Sequence, residues 1–162
     1  MTPKEYNQTV TQHADHLYRF VLKNLGHADD SKDVVQNAFE ILWNQRDQVA
    51  AENAKTFLFT VGYRKMIDAL RKTRKTELKE EWPEQLSGYT ETRHTGLKAQ
   101  LHKALETLPA IQKQLILLKD YEGYSYEESA KITGLNEGQV KVYLFRARNT
   151  LKKQLSSVAS NL

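Results

Sequence analysis

The stretch "SYEESAKITGLNEGQVKVYLFRARNTL", residues 125–151, predicts two consecutive helices with well-marked starts. Ser125 is followed three residues later by Glu128, and Asn136 is followed three residues later by Gln139. Each pair fits a capping box, in which two side chains bond to the first backbone N–H groups of a helix and to each other's backbone. Two such boxes so close together predict one short helix and then a second, longer one.

The same stretch has the spacing of a helix-turn-helix. Ala130 is small enough to let two helices cross closely, Gly134 can take the left-handed conformation of a tight turn, and Val140 can pack the second helix onto the first. The pattern therefore predicts a helix-turn-helix, a motif whose second helix enters the major groove of DNA.

The second helix has one apolar side and one basic side. Between residues 136 and 153 there are five basic residues and, after Glu137, no acid. The predicted buried residues are Val140, Leu144, Ala147, Leu151 and Leu155. The predicted DNA-binding residues on the other side are Gln139, Lys141, Val142, Phe145, Arg146 and Arg148.

Each outward residue type matches one kind of DNA contact. An arginine such as Arg146 can bond to a guanine edge through two nitrogens, and Val142 or Phe145 can touch a thymine methyl group. Lys141 and Arg148, with Lys152 and Lys153 further along, would hold phosphates and fix the register. Two alternatives stay open: Phe145 could pack on a neighbouring helix, and Arg146 could form a surface salt bridge.

Composition restricts the possible classes of protein. The chain has 162 residues, of which 40% are hydrophobic and 27% charged, which suits one medium domain or two small ones. The chain has no cysteine, so disulfides and thiolate metal sites are excluded and a reducing, cytoplasmic location is the simplest expectation. No apolar run approaches the roughly 20 residues of a membrane span, and the first residues lack a signal-peptide core.

Apolar periodicity predicts an all-α protein made of two small domains. In the first half it indicates helices over residues 3–25 and 32–46, the second capped by Asp30 or Ser31, then a loop over 47–53 and a long helix from Ala54. Residues 76–95 hold five acids and two bases and are interrupted by Pro83 and Gly88, which is typical of a flexible linker. We therefore expect domains over 1–75 and 96–162.

The long helix of the first domain is also basic on one side. Six basic residues and one acid lie between residues 64 and 75, opposite an apolar side that carries Phe59, Tyr63, Met66, Ile67 and Leu70. A solvated charged face is the simple alternative, but this excess favours phosphate contact. The predicted nucleic-acid contacts are Arg64, Lys65, Asp68, Arg71, Lys72 and Lys75, with Asp68 orienting its basic neighbours.

At this point the sequence resembles a known family, the extracytoplasmic-function (ECF) sigma factors of bacterial RNA polymerase. The resemblance rests on "HLYRFVLKNLGHADDSKDVVQNAFEILW", "KTFLFTVGYRKMIDALRKTRK" and "LETLPAIQKQLILLKDYEGYSYEESAKITGLNEGQVKVYLFRARNTLKKQL". It covers roughly residues 8–75 and 97–155. Such factors have two helical domains and select promoters for the polymerase.

The resemblance implies partners and a division of labour. Core RNA polymerase would be bound through the clamp helices of its largest subunit and the flap of its second-largest subunit. The implied clamp contacts are Asp33, Gln36, Asn37 and Glu40, whereas Phe39 and Trp43 are expected in the core. The helix 57–75 would meet the melted −10 element, the loop 47–56 would hold a flipped base, and the helix-turn-helix would read the −35 duplex.

The sequence departs from the family pattern at two places. Family members often carry "AxN" where this chain has "GYR" at 62–64, so the −10 sequence is not carried over, and Ser129 replaces the usual isoleucine. An anti-sigma factor, often membrane-tethered in this family, is a further implied partner; no cofactor, metal or catalytic residue is implied.

Two other classes of function compete with this interpretation. A stand-alone helix-turn-helix regulator would explain residues 125–151 but leaves the basic helix of the first domain without a role. An enzyme would need a site, and His13 and His16, which share a helix face, lack the carboxylates of a metal site.

Overall fold

The computed structural model describes residues 1–77 and 96–160, with side chains through residue 74 in the first range and residue 156 in the second. Within these ranges the secondary structure is helical, with turns and no strand. The chain divides into two compact units, Met1–Tyr89 and Thr90–Leu162. The all-α fold is therefore confirmed, whereas all but the first two residues of the predicted linker lie outside the described residues.

The first unit is built from three long helices that pack on one another. They are α1 (Pro3–Leu25), α2 (Ala28–Asn44) and α3 (Ala54–Glu77), with a short 3-10 turn at Ala51–Asn53. A capping box of Thr2 and Glu5 begins α1, and Gly26 ends it at φ 69°. The shared core contains Leu17, Phe20, Val21, Leu42, Leu58, Phe59 and Met66.

The predicted start of α2 is wrong. The helix begins at Ala28 and not at residue 32, because the chain turns directly into it after the left-handed Gly26. Ser31 is buried inside the helix, and its hydroxyl donates to the carbonyl of His27 at 2.6 Å, so it caps nothing. Asp30 also lies inside the helix, in the first turn, where its charge suits the positive end of the helix dipole.

Gly62 lies where α3 packs against Leu17 of α1. A Cβ atom added to Gly62 would lie 2.9 Å from Cδ1 of Leu17, which is fully buried. Carbon atoms do not approach so closely without displacement. The missing side chain at position 62 therefore lets α3 lie against α1, and α3 supplies the basic face described below.

The second unit consists of four α-helices and a π-helical segment in the described residues. They are α4 (Leu97–Glu106), α5 (Ala110–Ile116), the π-helical segment Leu117–Tyr121, α6 (Tyr126–Thr133) and α7 (Glu137–Ser160). Pro109 is the N-cap of α5, and α7 packs on α4, α5 and α6. Leu97, in the first turn of α4, is 74% exposed.

The helix-turn-helix is confirmed together with both capping boxes. The backbone N–H of Glu128 donates to Ser125 Oγ at 3.0 Å, and that of Gln139 donates to Asn136 Oδ1 at 2.8 Å; the reciprocal bonds of both boxes are present. Gly134 has φ 78° and ends α6. Ala130 and Val140 are buried between the two helices, as the spacing predicts.

Candidate nucleic-acid interface

Helix α7 presents two different faces. Val140, Leu144, Ala147 and Leu151 are buried against the rest of the second unit, so the predicted apolar side is confirmed for these four, and Leu155 is partly buried. The six predicted DNA-binding residues, Gln139, Lys141, Val142, Phe145, Arg146 and Arg148, are all exposed. The structure therefore brings them onto the accessible side of one helix.

Two apolar side chains stand out on this accessible side. Val142 is 48% exposed and Phe145 is 67% exposed. Phe145 is thus not packed on a neighbouring helix, which was the alternative that the sequence left open. Apolar groups beside basic ones suit the major groove, where thymine methyl groups lie next to guanine acceptors.

Arg146 is the cation beside these apolar residues. Its side chain makes no ion pair among the residues that the structure describes, so a surface salt bridge does not account for it. An unpaired guanidinium keeps all five of its N–H donors for another molecule. Its place four residues after Val142 puts both side chains on the same part of the helix surface.

Tyr126 lies between two lysines at the start of α6. The ammonium nitrogen of Lys141 lies 5.5 Å from the Tyr126 ring centroid, and that of Lys119 lies 5.2 Å from it. Both distances are in the range of cation–π attraction. The sequence does not place Lys119 at this interface, because Lys119 belongs to the π-helical segment and reaches the Tyr126 ring only in the folded unit.

Arg148 differs from Arg146 in having an acidic partner. Its Nη2 atom donates to Asp120 Oδ1 at 2.8 Å, and its Nε atom donates to Asp120 Oδ2 at 3.4 Å. These bonds to Asp120, and secondarily the influence of Tyr126, raise the pKa of the Arg148 guanidinium above its usual value. The residue predicted to hold a phosphate is therefore engaged within its own unit.

The basic face of α3 lies opposite the core of the first unit. Arg64, Asp68, Arg71 and Lys72 are exposed and Lys65 is partly buried, while the side chain of Lys75 lies outside the described residues. The predicted apolar side is confirmed at Phe59, Tyr63 and Met66, which are buried, and Ile67 and Leu70 are partly buried. Burial raises the pKa of Tyr63 to about 12.

Helix α2 exposes a third set of predicted residues. Asp33, Gln36, Asn37 and Glu40 are all exposed and follow a spacing of three and four residues, so they share one face. Phe39 is buried, as predicted.

The prediction that Trp43 belongs to the core is wrong. Trp43 is 38% exposed, and its ring packs edge-on against Tyr6, with centroids 4.9 Å apart. The Arg46 guanidinium carbon lies 3.9 Å from the ring centroid, which is close enough for cation–π attraction. Because Trp43 follows Glu40 by three residues, it continues the exposed face of α2.

The histidines of α1, His13 and His16, were the candidates for a metal site. Burial, together with Lys55 and His16, lowers the pKa of His13. Within the described residues, no three side chains of His, Asp or Glu lie close enough to hold a metal ion.

No helix in the two described ranges is both long enough and apolar enough to cross a bilayer.

Known families match both units. Residues 9–76 match the family model described as Sigma-70 region 2, and residues 98–151 match Sigma-70, region 4. The chain is 32% identical over 149 residues to the RNA polymerase sigma factor SigV of Bacillus subtilis, which covers 91% of this chain and 89% of that protein. It is 29% identical over 154 residues to the ECF RNA polymerase sigma factor SigL of Mycobacterium tuberculosis, covering 91% and 86% respectively.

A solved structure agrees with these relatives. The sigma factor RpoE of Bartonella quintana, solved in complex with the anti-sigma factor NepR, is 26% identical, with a TM-score of 0.79 over 94% of this chain and 98% of that one. Two helical units, a helix-turn-helix with an exposed basic face and matches to both sigma regions lead to one assignment. The chain belongs to the ECF sigma factors of bacterial RNA polymerase.

Proposed function

We propose that this sigma factor directs core RNA polymerase to promoters by reading the −35 element with α7 and holding the melted −10 strand against α3. The observation that carries the proposal is the accessible face of α7, where the unpaired Arg146 lies beside exposed Val142 and Phe145. A helix that only packed would gain nothing from exposing two large apolar side chains around an arginine.

The −35 contact is a duplex contact. Arg146 would bond to a guanine edge, Val142 or Phe145 would touch a thymine methyl, and Gln139 would lie nearest the DNA at the start of the helix. Lys141 would meet backbone phosphates, with Lys119 beside it across the Tyr126 ring. Base contacts would set the sequence preference, and the lysines would set the register.

The −10 contact is a single-strand contact. Arg64, Lys65, Arg71 and Lys72 line α3 on the side away from the core and would follow the sugar-phosphate backbone of the opened strand. The segment just before α3 would hold a flipped base, which costs a few kcal/mol of unstacking and least at easily deformed steps. The family pattern often has asparagine where this chain has Arg64, so no −10 sequence is carried over from the family.

Core polymerase would be bound through the exposed face of α2. Asp33, Gln36, Asn37 and Glu40 would contact the clamp helices of the largest subunit, and the second unit would contact the flap of the second-largest subunit. The exposed Trp43 extends the α2 face and offers the kind of rigid aromatic side chain that interfaces favour. Phosphodiester chemistry would remain with the polymerase, so this chain would need no catalytic residue of its own.

An anti-sigma factor would regulate this activity. A similar protein of Bartonella quintana has been solved bound to one. We place the working complex in the cytoplasm, where the polymerase acts, with an anti-sigma factor able to hold the free chain elsewhere.

Run-off transcription with purified core polymerase and genomic fragments tests the proposed function. The chain should co-purify with core polymerase, and transcripts should start from a defined set of promoters only when it is present. A stand-alone regulator would instead bind its operator as a dimer without core polymerase. Specific operator binding of that kind, with no stimulation of core polymerase, would contradict the proposal.

A further inference from the structure

Two charged residues far apart in the sequence join α7 to the segment before the helix-turn-helix. Asp120 lies in the π-helical segment Leu117–Tyr121, and Arg148 lies in the middle of α7. Their side chains meet through two nitrogen–oxygen contacts of 2.8 and 3.4 Å. Both side chains are partly exposed, at 40% and 42%. A guanidinium that contacts both oxygens of one carboxylate fixes the relative orientation of the two side chains as well as their distance.

The position of Arg148 on α7 separates it from the groove-reading residues. It follows the buried Leu144 by four residues and the buried Ala147 by one, so it lies at the edge of the packed face. Arg146, in contrast, follows Val142 by four residues and lies with the exposed apolar side chains. Residues two apart on a helix do not face the same way, so Arg146 and Arg148 serve different surfaces.

The Asp120–Arg148 pair affects the orientation of α7 more than the stability of the second unit. Partly exposed ion pairs add little to the free energy of unfolding. A recognition helix, however, must be held within about 0.5 Å and 10–20° to place its side chains on base edges. A two-point contact from the neighbouring segment supplies such a constraint.

We propose that Asp120 and Arg148 form a positioning pair that fixes the orientation of α7 for −35 reading, and that Arg148 is not a phosphate ligand. The inference rests on the proposed −35 contact and goes beyond it, since it assigns Arg148 a role opposite to the one that its charge predicts. It also gives an acidic residue, Asp120, a positive role in DNA binding.

The two roles predict opposite effects of removing the acid. If Arg148 were a phosphate ligand held back by Asp120, then Asp120→Asn would free the arginine, remove a repulsive charge and tighten promoter binding. If the pair positions α7, Asp120→Asn should weaken binding about 5- to 10-fold and reduce discrimination between an intact and a scrambled −35 element. Glu127→Gln, which removes another exposed acid of the same unit, is the matched control and should not weaken binding.

The experiment uses the full chain in complex with core polymerase. Holoenzyme affinity would be measured by fluorescence anisotropy on promoter fragments with intact and scrambled −35 elements, over a series of salt concentrations. Arg148→Ala should weaken discrimination while the slope of log K against log salt stays that of the wild type, because a lost phosphate contact would reduce that slope by about 0.9. Thermal unfolding of each variant checks that the second unit is folded.

A charge exchange keeps the test decisive if a single variant loses structure. The double variant Asp120→Arg/Arg148→Asp restores the pair with its ends reversed and should recover most of the −35 discrimination. Tighter binding by Asp120→Asn, a salt slope reduced by about one in Arg148→Ala, or no recovery in a folded double variant would overturn the positioning role. A wild-type holoenzyme that ignores the −35 sequence would instead contradict the proposed function, which is a separable outcome.

Discussion

Two arginines on one helix have different surroundings, and the surroundings decide what each can do. Arg146 has no ion-pair partner among the described residues and stands beside exposed apolar side chains, whereas Arg148 is bonded to Asp120. Charge alone would have made both residues DNA ligands, Arg146 on a base and Arg148 on a phosphate. A contact made across 28 positions of the sequence separates them.

Replacing Arg146 tests the groove assignment. A two-point arginine–guanine contact contributes about 1–3 kcal/mol to discrimination against the wrong base. We expect Arg146→Ala to reduce holoenzyme preference for an intact over a scrambled −35 element by about tenfold or more, as measured by competition binding. Lys153→Ala, at an exposed position further along α7, should leave that preference intact; an unchanged preference in Arg146→Ala would show that the groove assignment is wrong.

Tyr63 gives a prediction about pH. Burial raises its pKa to about 12, whereas a tyrosine in the unfolded chain titrates near 10. Above pH 10 the unfolded chain loses this proton while the folded unit keeps it, so the stabilisation is complete below about pH 10 and is lost as pH rises through about 12. The free energy of unfolding of wild type should fall by about 2–3 kcal/mol more than that of Tyr63→Phe between these values, as followed by urea unfolding; parallel curves would contradict the assignment.

At the scale of elements, the packing of α1 on α3 depends on a position with no side chain. Glycine inside a helix costs about 1 kcal/mol relative to alanine, so local propensity alone predicts that Gly62→Ala stabilises the protein. The added methyl group would meet Leu17 at 2.9 Å, and overpacking of a buried contact costs about 1–3 kcal/mol. We expect a net loss of about 1 kcal/mol in urea unfolding.

A second substitution isolates the cause of that loss. In a Leu17→Ala background the clash partner is absent, so adding Gly62→Ala should no longer destabilise the first unit and should partly refill the cavity. The same loss in both backgrounds would show that helix contact with Leu17 is not what requires the glycine.

Local chemistry explains which elements could be predicted from the sequence. Capping boxes at Ser125 and Asn136 and the turn at Gly134 are decided within a few residues, and all three are confirmed. The start of α2 was missed because its N-cap, His27, makes no side-chain cap bond and resembles no capping signal. Trp43 was wrongly assigned to the core because the apolar periodicity of α2 does not show that Tyr6 and Arg46 cover only part of its ring.

The candidate site also has features that the sequence predicts and features that only the folded structure shows. The exposed side of α7 follows from helical periodicity, since the buried side chains recur every three or four residues. The contacts of Lys119 with Tyr126 and of Asp120 with Arg148 join different elements, and no periodic signal links such positions. Which basic residues are available to DNA therefore depended on the folded structure.

At the scale of the whole molecule, the exposed face of α2 differs in residue composition from the basic faces of α3 and α7. It carries Asp33 and Glu40 with two amides, which suits a protein partner rather than DNA. We expect Asp33→Ala and Gln36→Ala each to weaken core polymerase binding about tenfold in a titration, while the thermal unfolding midpoint changes little, because exposed substitutions rarely alter stability by more than about 0.5 kcal/mol. Gln12→Ala on α1 is the exposed control, and equal core affinity in all three variants would contradict the α2 assignment.

The proposed division of labour has a consequence for the free chain. Each unit offers only a few cations to DNA, so each alone should bind weakly, with a shallow slope of log K against log salt, because that slope is proportional to the number of phosphates neutralised. Binding both units to core polymerase would make the second contact intramolecular and raise its effective concentration, which can increase affinity by 10²–10⁴-fold without any new contact.

Promoter affinity measured with and without core polymerase should differ by at least about 100-fold, and Arg146→Ala should remove most of the part of that gain that depends on the −35 sequence. A free chain that selects its promoter as tightly as the holoenzyme does would show that the two units need no polymerase to cooperate, as expected of a stand-alone regulator.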